Sequence, residues 1–178
     1  MVALMATQLG DVKVRPARTE DAPQIARIHI ASWREAYAGI VPDDVLANLD
    51  LARREEEWHT RLENAVRNGT HTWVAEAEPG MLGFATLGPS RDEDADRHTW
   101  EIYAIYLLPD AWGRGVARDL MRTILAEPAA QDPITLWVLA EAERARHFYR
   151  RHGFQPDGTE RLEDFGGARL LEVRYRRG

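Results

Sequence analysis

Trp100-Glu101-Ile102-Tyr103-Ala104-Ile105-Tyr106-Leu107-Leu108-Pro109-Asp110-Ala111-Trp112-Gly113-Arg114-Gly115-Val116-Ala117 decides how this chain is read. It begins as an apolar, β-prone run and stops at Pro109. A short turn follows, and then a glycine-spaced entry into an amphipathic segment. That order sets free backbone N–H groups at a helix N-terminus beside the end of a strand, an arrangement suited to phosphate. Gly113 and Gly115 let the backbone approach an anion closely, and Arg114 can add a charge-assisted contact. An ordinary tight strand-to-helix turn would look the same at this level. No Gly-Lys-Ser/Thr follows, so it is not a Walker loop, and the third glycine of a dinucleotide fingerprint is missing.

Outward from this stretch, helical spacing places Val116, Leu120, Met121 and Ile124 on one buried face. Pro133 opens a strand, Ile134 to Leu139, and a helix runs from Ala142 to Arg151 with Gly153 beyond it. Short strands near Phe154 and from Arg169 to Tyr175 complete the C-terminal part. Upstream, His98 to Leu107 is the long strand, preceded by the polar and acidic loop Arg91 to Arg97, read as mobile. Thr70–Ala77 and Met81–Leu87 form a hairpin around Pro79-Gly80. Val12–Arg15 is a first strand. Thr19 is taken as an N-cap, with Glu20 and Asp21 in the first turn. Ile25, Ile28, His29 and Trp33 then recur at helical spacing. Gly39 ends that helix, Pro42 opens a short one, and a third runs from about Leu51 to Val66 with Trp58 and Leu62 on one face.

The chain has 178 residues and 44% hydrophobic content, enough for one domain with a sizeable core. A single domain over 1–178 is expected, with 1–11 an extended or disordered leader to it. No run of 18 apolar residues suggests a membrane span, and no secretory signal is apparent at the start, which points to the cytoplasm. The absence of cysteine excludes disulfides and a cysteine nucleophile. Net charge is −6, which argues against a nucleic-acid partner. Lys13 is the single lysine. His29, His98, His147 and His152 show no metal-ligand spacing, so no metal is expected.

A second constellation is Ala145-Arg146-His147-Phe148-Tyr149-Arg150-Arg151-His152-Gly153-Phe154. Alone it reads as a buried aromatic pair and a helix stop. Taken together, the glycine turn, the following helix, the strand, and a helix ending Phe-Tyr-x-x-x-Gly-Phe resemble the GNAT superfamily of acetyl-CoA-dependent N-acetyltransferases. The resemblance covers roughly Val12 to Tyr175. It implies an α/β (α+β) fold: a mixed, mostly antiparallel central sheet of six to seven strands with helices on both faces. The family's phosphate motif, Gln/Arg-x-x-Gly-x-Gly/Ala, corresponds to Trp112-Gly113-Arg114-Gly115-Val116-Ala117. Trp112 replaces the usual Gln/Arg, and Glu143 stands where relatives carry an Asn.

The resemblance implies acetyl-CoA as cosubstrate and gives roles to residues. Ile105, Leu107, Trp112, Gly113, Arg114, Gly115, Val116, Ala117, Glu143 and Phe148 fall at cofactor-binding positions. The Ile105 N–H matches the donor that polarises the acetyl carbonyl, and Tyr149 the tyrosine that protonates the leaving thiolate. Glu101, eleven residues before Trp112, matches the general base; a solvent-facing strand residue is the bland alternative. Chemically, an alkylammonium with pKa near 10 must lose a proton before it attacks. Trp33 and Tyr37, four apart on one helix face, can line an acceptor pocket or seal the core. The expected reaction is acetyl transfer to a primary amine of a small molecule or peptide in a ternary complex. A homodimer is common in the family. Two other readings remain open: a non-catalytic acyl-CoA-binding domain on the same fold, and a nucleotide-binding domain. The acidic loop can either steer a polyamine or merely be solvated.

Overall fold

The computed structural model describes residues 10–178, so the segment expected to be extended falls almost wholly outside the described residues. Seven strands form one sheet in the order β1-β2-β3-β4-β5-β7-β6. β1 (Lys13–Pro16), β2 (His71–Ala77), β3 (Gly80–Pro89) and β4 (Trp100–Leu107) pair antiparallel in sequence. β5 (Ile134–Leu139) runs parallel to β4. β7 (Ala168–Arg177) and β6 (Gln155–Phe165) close that edge as an antiparallel hairpin.

Alternation along the central strands feeds two apolar layers. Val74, Met81 and Phe84 face α1 (Ala22–Ala36) and α3 (Leu51–Glu63), packing on Ile25, Ile28 and Trp58. Trp73, Ala75, Ala85 and Leu87 face the other way, onto Val116, Leu120, Met121 and Ile124 of α5 (Val116–Ile124). The short α2 (Asp43–Ala47) and α4 (Ala65–Asn68) lie before and after α3, and α6 (Glu143–Arg151) adds Ala145, Phe148 and Tyr149 to the α5 layer. A mixed, mostly antiparallel sheet flanked by helices is the fold expected. Among the described residues, no helix is long and apolar enough to cross a membrane.

Four local expectations are corrected. The first helix starts at Ala22 after a 3-10 turn, Thr19–Asp21, and it is Asp21, not Thr19, that organises the entry: its carboxylate accepts the Arg18 N–H at 2.7 Å and is gripped by Arg15. The third helix stops at Glu63, where Asn64 caps it, and resumes at Ala65. The two closing strands are long, because a Gly166-Gly167 turn, both at positive φ, lets β6 fold back on β7. The acidic loop is tethered. Asp92 accepts the Trp137 indole N–H at 2.9 Å, and Arg174, only 7% exposed, binds Asp92, Asp94 and Asp157.

Candidate active site

β4 and β5 pair only from Trp100↔Ile134 to Ile102↔Leu136 and then part. A bulge sets what β4 offers to the gap. Leu87 pairs with Ile102 but Thr86 with Ala104, leaving Tyr103 without a partner. Before the bulge, Trp100 turns its N–H to β5, donating to Pro133 O at 2.8 Å. After it the phase is shifted by one residue. Leu108 N–H donates to Leu82 O at 2.8 Å, so Ala104 and Tyr106 face β3. Ile105 and Leu107 therefore turn their N–H and C=O toward the gap that β5 has vacated. The Leu107 carbonyl accepts the Trp112 indole N–H at 3.3 Å, while the Ile105 amide edge stays with the gap.

The gap widens into a cleft of about 1170 Å³. At one end lies the glycine turn. Gly113 and Gly115 have φ of +74° and +85°, a region where a Cβ is strained. Among the described residues, no heavy atom lies within 4 Å of where a Gly113 Cβ would stand. Among the described residues no side chain caps the N-terminus of α5, and the first amides of a helix have no partner within it. Trp112, Gly113, Gly115 and Ala117 line the cleft, joined by Arg118. Val116 is fully buried in the core, leaving only its backbone for a ligand. Arg114 is not part of the lining. The Arg144 guanidinium lies 4.1 Å over the Trp112 ring, so the tryptophan braces β4, the turn and α6 together. Glu143 does bring an acid to this wall, but Arg146 at 2.8 Å and Arg150 at 3.8 Å offset its charge.

The middle of the cleft holds Phe148 and Tyr149 from α6 and Ile105 from β4. Burial, with the Tyr106 phenol beside it, pushes Tyr149 well above the ordinary tyrosine value, so it stays protonated at neutral pH. At the other end Glu101 lines the cleft yet is 1% exposed, which removes the solvent-facing alternative. Arg91 holds it three ways: backbone N–H to Oε2 at 2.9 Å, Nε to Oε2 at 3.3 Å and Nη2 to Oε1 at 2.5 Å. Burial works against the Arg91 charge, but the bond and field of Glu101 prevail and raise its pKa.

Trp33 and Tyr37 pack on the core and also line the cleft. Their rings meet edge-on at 5.1 Å, and Trp33 also contacts Phe165 at 5.5 Å and Tyr106 at 6.4 Å. Burial is the main force raising the Tyr37 and Tyr106 phenols, and the Glu172 charge adds to both. Glu172 itself, 9% exposed on β7, is raised by burial against the opposing bond from Arg161. Sequence reading missed Glu172, Arg161, Tyr106 and Phe165, all of which line this end. Among the described residues no group of three His, Cys, Asp or Glu is placed to hold a metal ion.

Comparison with known proteins agrees with this layout. The acetyltransferase (GNAT) domain model matches residues 68–156, half of the chain and the part carrying the glycine turn. An uncharacterised N-acetyltransferase of Bacillus subtilis, YuaI, is 34% identical over 166 residues, covering 91% of this chain and 90% of that one. A probable N-acetyltransferase of Mycobacterium tuberculosis is 27% identical, covering 94% of each. In fold, the chain is similar to the ribosomal-protein-alanine N-acetyltransferase of Brucella melitensis (TM-score 0.73, 24% identity, 93% of this chain and 98% of that one). It is also similar to PaiA N-acetyltransferase of Thermoplasma acidophilum, solved in complex with coenzyme A (TM-score 0.71, 18% identity, 94% and 99%). A relative one-third identical along nearly its whole length, and a family model seated on the cleft-forming strands, establish that the chain belongs to the GNAT superfamily of N-acetyltransferases and is an acyltransferase.

Proposed function

We propose that the chain moves an acetyl group from acetyl-CoA directly to a primary amine of a small molecule or peptide, with both substrates bound together. The observation that carries this is the single cleft joining the amide-rich turn, the Ile105 edge, Tyr149 and Glu101. The residues fit the cosubstrate. The open, left-handed Gly113 and the uncapped start of α5 suit a diphosphate, and the unpaired edge of β4 suits an amide-bearing arm. Acetyl-CoA, when bound, supplies an activated acetyl thioester.

The amides of Gly113 to Ala117 hold the diphosphate, with Arg118 of the lining contributing charge. Leu107, Trp112, Glu143 and Phe148 flank the pantetheine arm. The Ile105 N–H points at the acetyl carbonyl oxygen; a single such donor is worth about a hundred- to a thousandfold in rate. Glu101 takes the amine proton, directly or through one water, while Arg91 keeps its carboxylate fixed. Tyr149, held protonated by burial, gives its proton to the leaving sulfur. Trp33 and Tyr37 hold the acceptor. With no cysteine in the chain, no cysteinyl acyl-enzyme forms.

A panel of amines with acetyl-CoA and detection of free thiol tests the reading. Tyr149→Phe should lower kcat about a hundredfold and leave the KM for acetyl-CoA unchanged. Glu101→Gln should remove the acid limb of the pH–rate profile. Unchanged turnover in the first, or an unchanged profile in the second, discards that residue's role. Coenzyme A binding with no thiol release from any amine would instead leave a non-catalytic acyl-CoA-binding protein.

A further inference from the structure

We propose that Glu172 docks the ammonium group of the acceptor, and that the acceptor is a primary amine on an apolar skeleton of aromatic size, carrying one positive charge and no carboxylate. The inference rests on the acetyl-transfer reading above and concerns the acceptor end of the same cleft.

Glu172 sits on β7 between Leu139 of β5 and Arg161 of β6 in register, at the end of β5 where the sheet has opened. Arg161 binds it through Nε and Nη2, both at 2.7 Å, and both bonds end on Oε2. Oε1 accepts no hydrogen bond from a described residue and is not among the fully enclosed unpartnered polar atoms, and Glu172 is one of the residues that line the cleft. A carboxylate oxygen with free lone pairs in a largely desolvated wall calls for a donor, and a compact ammonium brings three. Beside it stand Tyr37, Tyr106, Trp33 and Phe165. Their ring faces favour a cation and their surfaces an apolar body. Among the described residues Trp33 Nε1 is buried with no hydrogen-bond partner. Glu35 of α1 also lines the cleft, but it is exposed, so its charge is screened and the buried part of this wall offers ring surface.

The remaining charges narrow the choice. Arg91 lies 4.1 Å over Tyr103 and Arg161 4.1 Å over Trp137, both on the cleft. Arg91 is matched by Glu101, and Arg161 by Glu172 at 2.7 Å with Glu163 beside it at 3.7 Å. A diamine would set its second cation against these arginines, and an acceptor carboxylate would have to draw one away from its glutamate. A lone ammonium on an apolar body meets neither cost.

The test uses coenzyme A-saturated protein and tryptophan fluorescence, titrated with phenethylamine, its neutral counterpart 2-phenylethanol, phenylalanine and putrescine. Phenethylamine should bind tightest, about tenfold tighter than 2-phenylethanol. Glu172→Gln should erase that preference while coenzyme A affinity stays unchanged. Arg161→Gln should preserve it, because Glu172 remains. The preference surviving Glu172→Gln, both variants losing it alike, tighter phenylalanine or putrescine, or no binding of any probe would each overturn the proposal. Thiol release with phenethylamine is read separately: binding as expected without release keeps the docking site and removes the transfer reading.

Discussion

Acidification from pH 7 to pH 5 should cost the protein about 2 kcal/mol through one histidine. His29 is 7% exposed on α1, between Trp58, Phe84 and Tyr106. The Trp58 indole N–H donates to its Nδ1 at 3.1 Å, which assigns the ring proton to Nε2 and holds the imidazole neutral. A proton on Nδ1 would face that N–H directly. Burial, then the Arg54 and Arg61 charges, hold the pKa down at about 3 from an ordinary 6.5. The unfolded chain therefore takes up a proton below about 6.5 and the folded one does not until about 3. Stability is complete above that upper value and falls by about 1.4 kcal/mol per pH unit beneath it. Urea unfolding at the two pH values measures the loss, and His29→Gln, which keeps an acceptor for Trp58, should remove it. Glu172 acts with the opposite sign, since its raised pKa favours the fold as pH falls, but it is common to both proteins and cancels in the comparison. Asp21 and Asp157, lowered from 3.8 by their surroundings, lose their contribution only at more acid pH. Equal loss in wild type and variant would refute the argument.

Arg174→Met should be the most damaging change far from the cleft. It strips the counter-charge from Asp92 and Asp157, whose side chains are only 9% and 16% exposed, and should cost about 3 kcal/mol, read as a lowered urea midpoint. Gly83→Ala should separate β3 from β4 beside the cleft. The new Cβ would stand 2.8 Å from the Tyr106 carbonyl oxygen and from Leu107 Cγ. A loss of about 1–3 kcal/mol and weaker coenzyme A binding by calorimetry are the expected results, and an unchanged affinity would show that Leu107 does not set the position of the arm.

What the sequence made legible was local. Gly113 and Gly115 announce a turn because only glycine takes those backbone angles cheaply, and the apolar spacing of α5 follows within the same dozen residues. Glu101 was found through its match to the general-base position of the family it resembles, but its burial was not, because Arg91 arrives from the loop before β4. The acidic loop misled for the same reason. Asp92 and Asp94 look solvated until Arg174, some eighty positions away, is folded against them. Glu172 lies in a strand whose exposed and buried positions alternate with charged side chains, so nothing in its neighbours marks it as facing a cavity.

The least legible element carries the most weight. Tyr103 has no special residue type, yet the extra residue it adds to β4 changes which carbonyls and amides face β5. Without that bulge the alternation set by Trp100 would continue, and Ala104 and Tyr106, not Ile105 and Leu107, would present their N–H groups to the gap. On the proposed reading, the glycine turn would be intact but the strand edge beyond it would be out of phase with an acetyl-CoA held there. A local sequence pattern thus builds the glycine turn, while a pairing irregularity, fixed only when β3 and β4 meet, sets which backbone groups face the gap. Deleting Tyr103 would restore regular pairing, and by this argument it should abolish acetyl transfer while leaving the glycine turn able to bind coenzyme A.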